Sequence, residues 1–140
     1  MSIYLAIDLG TTGCRSILFD EKLNMLGMAY EEYGLITVKE GYIEQDATHW
    51  WILTQRTIKN AIANANINGK EIKSISISSQ GITIVPVDEN IEPLCNAISW
   101  LDVRAQEECA QIDADFGRDH IFKLTGKPLD PVTHYQKSCG

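Results

Sequence analysis

The chain has 140 residues, enough for one domain on the usual scale of ~100–200 residues and for a buried core. Hydrophobic residues make up 44% of it, charged residues 22% and aromatic residues 8%, a composition that excludes disordered, collagen-like and fibrous classes. Its 12 basic and 19 acidic side chains leave a formal charge of −7 without any Lys/Arg block, so neither nucleic acid nor an anionic membrane surface is an expected partner.

Residues 3–9 (IYLAIDL) form an almost wholly apolar run of β-formers, predicted as a strand covered on both faces, with Asp8 the exception. Turn chemistry follows at Gly10-Thr11-Thr12-Gly13, and residues 14–19 resume as a second strand, so the opening reads as a hairpin. After an Asp20-Glu21-Lys22 turn, residues 23–33 add a third antiparallel strand. Asp46 is a good N-cap, and Trp50, Leu53, Thr57, Ile58, Ala61, Ile62 and Ala65 recur behind it at three- and four-residue intervals, predicting an amphipathic helix through Asn66. Trp50 and Trp51 are expected in the core. Residues 72–78 alternate strictly, as a half-buried strand does, and the helix would carry the chain over to lie parallel to an earlier strand. Further short strands are predicted at 83–87, with Pro86 at a sheet edge, and at 97–100. Helices at 104–112 and 120–124, split by Phe116-Gly117, complete the pattern. This is an α/β order but not the alternation of a Rossmann domain, and neither G-x-G-x-x-G nor G-x-x-x-x-G-K-[ST] is present.

Asp8, Arg15 and Asp20 leave the first twenty residues without the apolar run of a signal peptide or membrane span. Cys14, Cys95, Cys109 and Cys139 are scattered with no C-x-x-C pair, which suits reduced thiols in a cytoplasmic protein better than a disulfide framework or a zinc site.

Chemistry concentrates first at residues 8–13. An aspartate buried in an apolar strand needs a partner, such as a metal ion or a cation–phosphate complex. Gly10 and Gly13 let backbone N–H groups approach an anion, Thr11 and Thr12 add hydroxyl donors, and Arg15 is near enough to neutralise phosphate. The same residues also read as an ordinary β-turn in which Asp8 caps amides. The second concentration is Trp100, Asp102 and Arg104, an aromatic face, a carboxylate and a guanidinium of the kind carbohydrate sites use. Alone, that set reads equally as a core tryptophan with Asp102 capping the helix that begins near Arg104.

The strings IDLGTTGCRSILFD, GYIEQDATHWW, ISISSQG and NAISWLDVRAQE, in this order and at these separations, resemble the N-terminal region of the FGGY carbohydrate kinases. The resemblance covers essentially the whole chain and implies an α/β, ribonuclease-H-like (actin-like ATPase) fold. Residues 1–140 would be the N-terminal part of the first of two such domains, with ATP in the cleft between them. It implies that Asp8 acts on Mg2+, that Thr11, Thr12 and Arg15 lie at the γ-phosphate with Gly10 and Gly13 in the same turn, and that Gln80, Gly81, Trp100 and Asp102 line the sugar pocket with Arg104 in support. It departs from the glycerol-kinase pattern, Arg-Glu after the glutamine, and from the xylulokinase pattern, Met-His, because Gly81-Ile82 stand there. Family members are several hundred residues longer, and their general base and adenosine loops would lie beyond Gly140. The expectation is therefore an N-terminal fragment of an ATP-dependent kinase for a sugar, polyol or sugar acid, inactive and prone to self-association on its own, from a parent whose homodimerisation is open. The alternative is a non-enzymatic actin-like nucleotide-binding module; the W-x-D-x-R set and the E-Q-D run favour the kinase.

Overall fold

The computed structural model describes residues 2–132; Cys139 and the stretch 134–140 lie outside the described residues. In chain order the elements are β1 (Ile3–Leu9), β2 (Gly13–Phe19), β3 (Met25–Glu32), β4 (Ile36–Lys39), β5 (Tyr42–Gln45), α1 (Ala47–Ala65), a 3-10 turn at Gly69–Glu71, β6 (Ile72–Ser79), β7 (Ala97–Ile98), α2 (Gln106–Phe116) and α3 (Arg118–Thr125). They divide into two compact units, one drawn from Met1–Leu35 and Asp46–Gln80, the other from Ile36–Gln45 and Gly81–Gly140.

In the first unit β1, β2 and β3 form the expected antiparallel meander, and α1 returns the chain so that β6 pairs parallel with β1, giving the sheet order β3-β2-β1-β6. The helix ends where its capping residues dictate: Asp46 accepts from the His49 N–H at 3.1 Å, and Asn66 takes the left-handed conformation at φ 51°. Leu53, Thr57 and Ala61, four residues apart, are buried against a core that includes Leu5, Ile7, Leu18 and Tyr33. A polar seam crosses this interface, where Ser16 Oγ and Thr57 Oγ1 are 2.9 Å apart and Thr57 Oγ1 also donates to the Thr54 carbonyl at 3.0 Å, so neither buried hydroxyl lacks a partner.

Three expectations about burial fail, two because of where the helix lies and one because of which way its own residue faces. The helix lies over β2 and β3 on one face only. Strand β1 therefore buries Ile3, Leu5 and Ile7 but leaves Tyr4 and Asp8 exposed, rather than being covered on both faces. On β6, Ile75 and Ile77 remain 60% and 67% exposed, because α1 does not reach that strand. Trp50 packs against the core, but Trp51 points off the covered stripe and is 64% exposed.

In the second unit the β4–β5 hairpin, which pairs through β5 with β7, is absent from the prediction. Its strands are four residues each, β-formers such as Ile36, Val38, Tyr42 and Ile43 included, but too short to set the alternation that marks a strand. Residues 83–87 are not a strand; only isolated bridges Ile84↔Ile98 and Val87↔Pro93 form, since Pro86 offers no N–H and Ile82 turns the backbone to φ 60°. Strand β7 is correspondingly reduced to two residues. Helix α2 begins at Gln106 rather than 104, because a turn built on Asp102 holds Arg104 outside it, and the predicted break falls at Gly117.

Candidate functional site

In the first unit the stretch after β1 is a tight turn closed by the Gly10 N–H, which donates to the Gly13 carbonyl at 3.0 Å. Asp8 pairs with Arg15 across β1 and β2 and with Ser78 across β1 and β6, while Arg15 pairs with Tyr30 on β3. These four side chains thus form one row on the sheet face opposite the helix. Asp8 is exposed, so it has no need of the buried partner that the apolar run suggested; its carboxylate is open to a ligand instead. The Arg15 guanidinium lies over the Tyr30 ring, 5.2 Å from its centroid, a cation–π contact that limits its wandering. Tyr30 also explains Gly13: a Cβ there would come within 2.6 Å of the tyrosine ring and of the Glu31 carbonyl. Behind the turn, Tyr33 is 7% exposed; its hydroxyl donates to the Gly10 carbonyl and its N–H to the Thr12 carbonyl at 3.0 Å. Burial first, then the neighbouring Cys14, Asp8 and Tyr30, push the Tyr33 phenol well above its ordinary pKa. Gln80 follows β6, its N–H donating to the Leu9 carbonyl at 2.8 Å.

In the second unit Asp102 is fully buried. One carboxylate oxygen accepts from the Ile43 N–H at 2.8 Å, the other from the Arg104 N–H at 2.9 Å, and the Arg104 guanidinium closes on both at 2.8–2.9 Å. The same guanidinium reaches Glu44 at 2.8 Å and sits 4.4 Å from the Tyr42 ring centroid. Burial alone would raise the Asp102 pKa, but the Arg104 and Ile43 donors outweigh it and hold the carboxyl below the usual range. Asp102, and after it Glu44, keep Arg104 protonated. Asp102 therefore does not cap α2, whose N-cap is Ala105 with no side-chain bond, and Trp100 is not a core residue, being 38% exposed. Arg104 lines a cleft of about 350 Å³ with Glu40, Tyr42, Val103, Gln106 and Glu107. Gly81 has open space where a side chain would stand.

Residues 3–137 match the FGGY family of carbohydrate kinases, N-terminal domain. The chain belongs to the FGGY family. It is 37% identical over 125 residues to glycerol kinase 2 of Streptomyces coelicolor, a match covering 89% of this chain and 24% of that protein. Among solved structures it is similar to the ligand-bound xylulose kinase of Lactobacillus acidophilus, with a TM-score of 0.88 and 27% identity over 98% of this chain and 27% of that one. It is also similar to the gluconate kinase of the same organism, with a TM-score of 0.87 and 27% identity over 97% of this chain and 27% of that one. The chain thus spans about a quarter of the length of the relatives it matches. Its mixed sheet is that of the α/β, ribonuclease-H-like (actin-like ATPase) fold of these kinases.

Of the residues singled out in this FGGY chain, the first unit gathers Asp8, Gly10, Thr11, Thr12, Gly13 and Arg15 at one end of β1 and β2, with Gln80 beside them. The second gathers Asp102 and Arg104, with Trp100 two residues before them in the same loop. Sequence reasoning missed Tyr30, Tyr33 and Glu44. Tyr30 had a signal, since a hairpin register places an aromatic opposite Arg15; Glu44 had none, because its partner is 60 positions away.

Proposed function

We propose that the protein carrying this chain transfers a phosphoryl group from ATP to a hydroxyl of a sugar, polyol or sugar acid. The observation that carries this reading is the glycine–threonine turn, with Asp8 and Arg15 side by side at its mouth, in a chain of the FGGY family. The described residues would then be the N-terminal part of the first of two ribonuclease-H-like domains, in a cytoplasmic enzyme whose partners are ATP and one small acceptor.

The donor set suits phosphate. Thr11 and Thr12 bring hydroxyls, the turn brings amides, and Arg15 brings a fixed positive charge that neutralises the transferred group. It also suits Mg2+, which is held by one or two carboxylates plus substrate phosphates rather than by a protein cage. Among the described residues no cluster of three or more metal-binding side chains exists, and Asp8 offers a single exposed carboxylate. Bound there, the metal supplies charge neutralisation at the transferring phosphate. In the second unit Trp100 would present its exposed indole to a sugar C–H face and Gly81 would leave room beside the acceptor, while Asp102 fixes Arg104 and the β5 backbone; in the first unit Gln80 would contribute an amide to the acceptor. No carboxylate of this chain is assigned to take the hydroxyl proton.

The glycerol kinases among the relatives put glycerol in the panel of acceptors. Gly81-Ile82 argue against it, since they supply no side-chain donor where that small polyol would need to be gripped. The test is sugar-dependent ADP release by the full-length protein over glycerol, ketoses, polyols and sugar acids. Release that depends on one acceptor and is abolished in Asp8→Ala is expected; ATP hydrolysis indifferent to every acceptor would sink the reading.

A further inference from the structure

Asp8 and Arg15 stand directly opposite each other in the β1–β2 register, a carboxylate beside a guanidinium. Across an antiparallel pair the Cβ atoms of such residues are about 4.5–5.5 Å apart, and opposite charges attract. A guanidinium lying on that carboxylate would neutralise it, so neither group would be available to MgATP until the pair was broken. Among the described residues, however, Asp8 and Arg15 form no ion pair with each other. Arg15 has instead the face of Tyr30, 5.2 Å from its ring centroid, on the strand that flanks β2 on the side away from Asp8.

A glycine places that ring. Gly13 and Arg15, two residues apart on β2, share one face of the sheet, and Tyr30 is the cross-strand partner of Arg15 on that face. The Tyr30 Cε2 and hydroxyl fill the space where a Gly13 side chain would begin, 2.6 Å from the position of its Cβ. The ring spans the distance from the last residue of the turn to the guanidinium, which keeps Arg15 stacked at the turn end of β2.

The geometry points to Tyr30 as a positioning residue: its ring draws the Arg15 guanidinium off the Asp8 carboxylate, so that both charges stand open before MgATP arrives. This rests on the turn being the phosphate site. Tyr30 is 40% exposed, so replacing it leaves the core intact. In the full-length protein Tyr30→Leu should weaken MgATP binding, measured by calorimetry, by about fivefold, the scale of one exposed cation–π contact. Tyr30→Phe, which keeps the ring face, should stay within about twofold of wild type. The acceptor KM should also change by less than about twofold in both variants, and the melting temperature should hold. Because the ring acts only through Arg15, Tyr30→Leu should add nothing to the loss caused by Arg15→Ala. A crystal structure of the nucleotide-free Tyr30→Leu protein should show the guanidinium within about 4 Å of the Asp8 carboxylate.

Unchanged MgATP affinity in Tyr30→Leu overturns the proposal, as does an Arg15 still clear of Asp8 in that structure. An equal loss in Tyr30→Phe overturns it by assigning the effect to the hydroxyl, and a further loss on top of Arg15→Ala does so by making it independent of the guanidinium. If Asp8→Ala and Arg15→Ala bind MgATP as well as wild type does, the phosphate reading of the turn falls and this proposal with it. If they bind it weakly while Tyr30→Leu binds it normally, only this proposal falls.

Discussion

A fully buried carboxylate two residues from a paired arginine makes Asp102 the most consequential single side chain of the second unit. Its removal strands the Arg104 guanidinium and the Ile43 N–H together, so Asp102→Ala should cost ~3 kcal/mol by chemical denaturation, in the range for breaking a buried pair from one side. The pH dependence has a definite sign. Because the folded-state pKa lies below the unfolded one, Asp102 contributes its full stability above about pH 4, and that contribution is lost as acid protonates the folded carboxyl. Tyr33 works at the other end of the scale, and its raised pKa makes stability level below about pH 10 and falling above it, as the unfolded phenol ionises first. Ultraviolet titration should find one tyrosine that ionises only as the fold is lost. The W-x-D-x-R spacing was legible in the sequence, but not that its aspartate is sealed by a strand 59 positions earlier, because side-chain-to-backbone bonds of that range leave no local pattern.

Elements were legible where capping and period coincide. Asp46 and Asn66 bracket α1 with the φ/ψ values their side chains favour, and the meander followed from two turns with clear chemistry. Elements were harder to read where strands are short: β4 and β5 are four residues each, rich in β-formers but without the length to set a period, and β5 gains its second neighbour only from β7, more than fifty residues later. Turns also hide strain. Leu23 and Ile91 adopt φ values of 63° and 66° in exposed turns organised by Asp20 and Asp88, although neither side chain is buried. A left-handed non-glycine residue costs ~1–2 kcal/mol, so Leu23→Gly and Ile91→Gly should each stabilise by ~0.5–1 kcal/mol after the added chain entropy of glycine. Gly27 behaves oppositely. A Cβ there would lie 2.7–2.8 Å from the backbone and Cβ of Ala65 and the Ala61 carbonyl, so Gly27→Ala must push α1 off β3 and destabilise by ~2 kcal/mol or more.

At the scale of the whole chain, the open edge of the first unit's sheet decides behaviour in solution. Helix α1 covers β2 and β3 and the face stays closed over Ile3, Leu5 and Ile7 of β1, but at β6 Ile75 and Ile77 are exposed, and Ile77 lines a cavity with the exposed indole of Trp51. Among the described residues β6 pairs with β1 on one side only, so its other edge presents unpaired N–H and C=O groups next to those exposed isoleucines. An edge and an apolar shelf together are what a second sheet needs for pairing, and the deterrents are few: β6 carries one lysine, Lys73, near its start, and no proline. The 140-residue chain should therefore associate with itself as its concentration rises, seen as a concentration-dependent sedimentation coefficient. A lysine within the shelf should reverse it, since burying an isoleucine is worth ~1.5–3 kcal/mol and a buried charge reverses the sign. Ile77→Lys should thus weaken association by more than about tenfold while leaving the melt intact, because Ile77 is already two-thirds exposed in the monomer. An unchanged sedimentation profile across the concentration range in the parent chain would mean that the shelf is too small to hold a partner strand.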